Sequence, residues 1–185
     1  MNRGKNVPYI AGAAGVLLLA FLVVLAMAKP GDSESASSPL LGKPAPAVKS
    51  TTISGGTFDL GRRKGSWVVL NFFNSTCVPC RQEHPFLVDF ANEQKTSDSP
   101  VELYTVVNDD SDGPVQAFFD TNGGDWPVVR DDDGAVSVAF GVAKVPESWV
   151  IDPNGFVRLR IMGALTKGFL TTRLNELKAQ FEGEQ

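Results

Sequence analysis

The apolar stretches of this chain differ in length and in how polar residues interrupt them, and that separates them by kind. Residues 9–28 (YIAGAAGVLLLAFLVVLAMA) carry no charged side chain. As a helix they span about 30 Å, the thickness of a bilayer's hydrocarbon core. Residues 67–73 (WVVLNFF) and 101–107 (VELYTVV) are shorter and almost continuously apolar, as buried central strands are. Residues 149–151 and 156–161 flank Asp152-Pro153-Asn154-Gly155, a turn sequence that joins them as a hairpin. Residues 57–60 (TFDL) follow Gly55-Gly56 and predict a short strand beside a turn. Helical spacing occupies the intervals. Over 77–94 it puts Cys80, Leu87 and Ala91 on one face with Phe86 and Phe90 beside it, and 115–121 is a shorter candidate. A last helix carries Phe169, Leu170, Leu174, Leu177 and Phe181, with Thr166 placed to cap it. The order is β-α-β-α-β-β-α after a short β entry, a mixed α/β sandwich with helices on both faces.

Charge divides the chain at the same place as hydropathy. The net charge is −4, yet residues 1–29 hold Arg3, Lys5 and Lys29 and no acid, which leaves −7 for the rest. Cations ahead of an apolar span keep the N-terminus in the cytoplasm. The expected organisation is a short cytoplasmic N-terminus (1–8), a transmembrane signal anchor (9–28), a Ser-rich linker (29–39) and an extracytoplasmic domain (40–185). The alternative for 9–28 is a cleaved signal peptide, since Ala26-Met27-Ala28 has the small-x-small form of a cleavage site. Both place the domain outside the cytoplasm.

The length of 185 residues fits one domain and an appendage, and 43% hydrophobic with 21% charged residues excludes wholesale disorder. The acidic balance gives no basic field for nucleic acid. The chain has two cysteines, Cys77 and Cys80, and one histidine, His84. A disulfide-stapled miniprotein and a self-contained four-ligand zinc site are thereby excluded. No metal or cofactor is expected.

Cys77-Val78-Pro79-Cys80 lies between the strongest strand and the helix it opens. A structural staple is a poor explanation, because so small a loop gains little from closure. Two-ligand metal binding, with or without His84, is the other bland alternative. Chemistry fits the placement better. A thiolate at a helix N-terminus meets unpaired N–H groups and the positive end of the helix dipole, and Pro79 suits the first turn, where its missing N–H costs nothing. Cys77 is then the nucleophile that forms a mixed disulfide, and Cys80, inside the helix, resolves it and closes a Cys77–Cys80 disulfide.

The stretch 68–85 (VVLNFFNSTCVPCRQEHP) resembles the thioredoxin-fold active-site segment, and 41–46 (LGKPAP), 80–84 (CRQEH) and 141–152 (GVAKVPESWVID) resemble the CcmG/DsbE and ResA/TlpA group of membrane-anchored thiol–disulfide oxidoreductases. The resemblance implies a thioredoxin fold: a central mixed β-sheet flanked by helices, with an N-terminal β extension and an inserted αβ element, preceded here by one transmembrane helix. It implies Pro146 as the cis-proline facing the two cysteines, beside which the backbone pairs with substrate; the alternative is an ordinary loop proline. It implies Glu83 and Glu147 as acids that handle protons and raise thiol pKa values; the alternative for each is a solvated surface acid. Asn71 stands where cytoplasmic thioredoxins carry a buried acid, which leaves proton handling to Glu83 or water. His84 is expected on the exposed side of its helix, and Pro85 is expected to kink that helix. The chain departs from the group in having Asn74-Ser75-Thr76 where an aromatic residue precedes the first cysteine, and in Lys144 and Val145 before the proline. The acidic loop 108–112 follows a strand end; a solvated turn is expected there, with a border to the site as the alternative.

The implied function is an extracytoplasmic reductant of protein disulfides in cytochrome c maturation. Its substrate would be a protein disulfide, such as an apocytochrome c CxxCH, its electron donor a membrane-embedded thiol reductant, and its own state a monomer. The alternatives are a general envelope disulfide oxidase or reductase and a thioredoxin-fold copper chaperone. A peroxidase is disfavoured, because Asn74 replaces the threonine that peroxiredoxins place three residues before their cysteine.

Overall fold

The computed structural model describes residues 14–21, 23 and 34–183. The chain divides into two units, residues 1–31 and 32–185. Of the expected span 9–28, residues 14–21 and 23 are helical and exposed; the remainder, with Ala26-Met27-Ala28, lies outside the described residues. Among the described residues no helix is long and apolar enough to cross a membrane.

The second unit is built on a six-stranded mixed sheet. Its strands are β1 (Glu34–Ser35), β4 (Trp67–Phe73), β5 (Val101–Val107), β6 (Val128–Val129), β7 (Glu147–Ile151) and β8 (Val157–Met162), in the order β1-β8-β7-β4-β5-β6. β4 runs parallel to β5 and antiparallel to β7, and β7 and β8 form the expected hairpin. A separate pair, β2 (Lys49–Thr51) and β3 (Thr57–Asp59), is the short β entry. The helices are α1 (Val78–Gln94), α2 (Asp112–Asn122), α3 (Ala135–Phe140) and α4 (Phe169–Gly183).

All seven residues of β4 are buried, as a central strand with both faces covered requires. Strand alternation sends Trp67, Val69 and Phe73 to one side, where they meet Leu87 and Phe90 of α1, Val115, Phe118 and Phe119 of α2, and Leu170, Leu174 and Phe181 of α4. Val68, Leu70 and Phe72 face the other side, against Val136 and Phe140 of α3 and Phe58 of β3. Pro85 lies inside α1 without ending it. Thr166 precedes α4 and accepts the Phe169 N–H through its backbone carbonyl.

Three parts differ from the sequence pattern. Glu34 and Ser35, within the Ser-rich stretch, pair with Met162 and Ile161, so the sheet starts ahead of Leu40. Backbone pairing needs no apolar side chain, which is why composition alone reads this stretch as linker. β6 is a two-residue edge pair, too short for any period. α3 is a six-residue helix set between left-handed Gly134 and Gly141 and capped from outside its own sequence: the Asp131 carboxylate accepts from Val136 N (2.7 Å) and Ser137 N (2.8 Å). α2 and β6 lie between β5 and α3.

Candidate functional site

The site forms where β4 ends. Asn74 turns the chain: its side-chain N–H groups donate to the Asn108 and Asp109 carbonyls (3.0 and 2.7 Å), and its oxygen accepts from Thr76 N (2.9 Å). The Ser75 N–H donates to the Asp110 carboxylate at 2.6 Å. The acidic loop borders the site, as one of its two expected readings has it, and braces the cysteine loop while Asp109, Ser111 and Asp112 stay exposed.

Cys77 caps α1, with its sulfur accepting the Cys80 N–H at 3.2 Å. Cys77 and Cys80 form a disulfide with Cα atoms 5.3 Å apart. Cys77 is half-buried and Cys80 wholly buried, so attack from outside can reach only the first sulfur. The Val145–Pro146 bond is cis. Pairing of Phe72 with Glu147 and Asn71 with Ser148 holds this turn beside the cysteines, and the Cys77 sulfur lies 3.8 Å from the Val145 carbonyl oxygen.

Glu83 lies one turn beyond Cys80 and has no exposed surface. One carboxylate oxygen accepts from the Asn71 amide (2.8 Å) and the other from Leu165 N (2.7 Å). Burial pushes its pKa up to about 7, and these two donors only partly oppose it. Glu83 is thus no surface acid: burial holds its pKa near neutral, one turn along α1 from Cys80. The folded chain binds this proton more tightly than the unfolded chain does. Stability from it is complete below about 4.5 and is lost as pH rises towards about 7. Wild type should lose up to about 3 kcal/mol between pH 5 and pH 8 that Glu83→Gln does not lose. Urea unfolding of both oxidised proteins at the two pH values measures this; parallel losses would mean that Glu83 titrates as an ordinary exposed carboxyl.

Glu147, with 1% of its surface exposed, is not a solvated acid either. It accepts from Trp149 Nε1 (2.7 Å) and from Arg160 Nε and Nη2 (2.9 and 3.0 Å). The Arg160 guanidinium lies 5.2 Å from the Trp149 ring centre and reaches the Ser37 carbonyl (3.2 Å). Glu147 therefore anchors the strand that leaves Pro146, on the sheet face opposite Asn71 and Glu83.

His84 corrects an expectation. It is 2% exposed, not on the solvent side of α1. Its Nε2 donates to the Gly123 carbonyl at 2.9 Å, and its ring sits 4.8 to 5.5 Å from Phe118, Phe119 and Trp126. α2 covers this flank of α1, which the spacing of α1 alone cannot reveal. Burial lowers the His84 pKa. Held this way, His84 is turned to Gly123, and among the described residues no group of three or more His, Cys, Asp and Glu side chains is placed to hold a metal.

Ser148, Arg160 and the Leu165 N–H escaped the sequence reading. Ser148 had a signal, as a polar residue inside an apolar strand; the other two depend on strand register and loop path.

The model of the AhpC/TSA family matches residues 41–160. Thiol-disulfide oxidoreductase ResA of Bacillus subtilis is 32% identical over 138 residues, which cover 74% of this chain and 75% of that protein. Thiol:disulfide interchange protein HelX of Rhodobacter capsulatus is 31% identical over 151 residues, 80% of this chain and 82% of HelX. The crystal structure of a thiol:disulfide interchange protein of the thioredoxin family from Chlorobium tepidum superposes with a TM-score of 0.61 at 26% identity, covering 72% of this chain and 92% of that one.

Proposed function

The chain belongs to the AhpC/TSA family and is a thiol–disulfide oxidoreductase of thioredoxin fold, and on that premise we propose that it is a membrane-tethered, extracytoplasmic reductant of protein disulfides in cytochrome c maturation. The observation that carries the reading is the asymmetry of the pair: Cys77 half-buried at the helix start, Cys80 buried one turn ahead of buried Glu83.

In the reduced protein the Cys77 thiolate attacks a substrate disulfide. A mixed disulfide forms and one substrate sulfur leaves as thiolate. Cys80 then loses its proton and attacks the Cys77 sulfur, which closes the Cys77–Cys80 disulfide and releases the second substrate sulfur. Two electrons pass to the substrate, and its two sulfurs take up two protons. The Val145–Pro146 turn offers backbone on which an extended substrate segment can pair during the exchange.

Glu83 supports the direction. An ionised carboxylate beside a thiol disfavours the thiolate, so the reduced pair gains less from ionisation and gives up its electrons more readily. A membrane-embedded thiol reductant would recharge the disulfide, and residues 9–28 would keep the monomeric domain within reach of it.

The reduction potential of the Cys77/Cys80 couple tests this reading. Equilibration against dithiothreitol should place it in the thioredoxin range, about −270 mV, or lower. A value near about −120 mV, the range of strong oxidants, would overturn the reductant assignment in favour of an oxidase.

A further inference from the structure

The buried hydrogen-bonded cluster of Asn71, Glu83 and Ser148 contains one atom with no partner. Asn71 is fully buried, and its amide nitrogen spends both hydrogens on one side, towards Glu83 (2.8 Å) and Ser148 Oγ (3.1 Å). Its carbonyl oxygen is left without a hydrogen bond. A buried acceptor left unpaired costs stability, so something must select this orientation. The reverse orientation would set the amide oxygen against the ionised Glu83 carboxylate. The Glu83 contact is therefore what the amide is turned to serve.

Resting on the oxidoreductase reading above, we propose that Asn71 is a positioning residue that sets the proton affinity of Glu83, and through it the pH range over which the buried side of the cysteine pair exchanges protons. The groups around Glu83 leave this task to few candidates. From β4 comes Asn71, from β7 the hydroxyl of Ser148 bonded to that same amide, and from the loop after β8 the Leu165 N–H. On its own helix Cys80 precedes it by one turn, and His84 turns away to Gly123. Burial raises the proton affinity of Glu83, the Leu165 N–H and the Asn71 amide lower it, and no charged side chain is among the causes. Of the two opposing donors only Asn71 is a side chain, so its identity is the adjustable one. The amide favours the carboxylate; an acid or an apolar residue at position 71 would favour the protonated form.

The test follows the Glu83 side-chain carboxyl by 13C NMR in the oxidised full-length chain in detergent, without any substrate. Asn71→Leu should move the titration midpoint up by one unit or more, equal to at least tenfold tighter proton binding. Asn71→Asp, close in size and safer for folding, should also move it up. A midpoint that stays at the wild-type value in Asn71→Asp would overturn the proposal. The pH profile of model-disulfide reduction is the second readout. Asn71→Leu should shift its midpoint upwards, and should shift nothing further in a Glu83→Gln background. An equal shift with and without Glu83 would overturn the coupling. Because the titration uses no substrate, failure of the reductant reading would leave its result intact.

Discussion

Cys77→Ala should abolish disulfide reduction: turnover of a model protein disulfide such as insulin should fall by at least about 10³, because the attacking sulfur is gone and fully buried Cys80 cannot replace it. Cys80→Ala loses turnover too, but at a different step. Its Cys77 still attacks and is left as a mixed disulfide with no thiol in the chain to resolve it. The two variants therefore share a loss of rate and differ in their products. Gel shift under non-reducing conditions should show a dithiothreitol-sensitive adduct with Cys80→Ala and none with Cys77→Ala. Equal adducts from both would refute the assignment of Cys77 as nucleophile. The loss concerns chemistry rather than fold, since a bridge between residues so close in sequence stabilises little.

The largest effect on stability should come from Arg160, some way along the sheet from the cysteines. Arg160→Met removes both guanidinium bonds to Glu147 and leaves its carboxylate buried with Trp149 Nε1 as its side-chain donor. Breaking a buried pair in this one-sided manner costs about 3–5 kcal/mol, since the remaining charge has no counterion. For a domain of this size that corresponds to a fall in Tm of roughly 10 °C. Replacing both members, Arg160→Met with Glu147→Gln, should recover much of the loss, because no uncompensated charge remains. Thermal unfolding at neutral pH measures both. A fall of only 1 °C in the single variant would mean that this pair behaves like an exposed ion pair. Arg160 also holds the Ser37 carbonyl, so the N-terminal extension should loosen together with the strand after Pro146.

The parts of this fold that sequence displayed were those with a period or a turn code. The run 67–73 reads as a strand buried on both faces, and all seven of its residues are buried. Asp152-Pro153-Asn154-Gly155 announced the β7–β8 turn. The cysteine pair was legible through its place between strand and helix. Glu83 and Glu147 could be picked out by resemblance, but their environments could not. Glu83 is buried, and one of its two hydrogen-bond donors is the backbone of Leu165, far along the chain. Glu147 is buried because β7 and β8 pair in the register that sets Arg160 beside Trp149. His84 shows the same limit from the other side. Its neighbours in α1 are mixed, and only the packing of α2 decides that it is enclosed by Phe118, Phe119 and Trp126. Short elements such as β6 and α3 left no trace because two or six residues cannot complete a recognisable period.

The central claim, that Cys77 delivers electrons to an exported CxxCH disulfide, is tested most directly by capture in native membranes. The full-length Cys80→Ala chain should accumulate a dithiothreitol-sensitive adduct through Cys77 with a protein bearing that motif, identified by mass spectrometry of the linked peptides. Adducts confined to exported proteins lacking a CxxCH segment would contradict it.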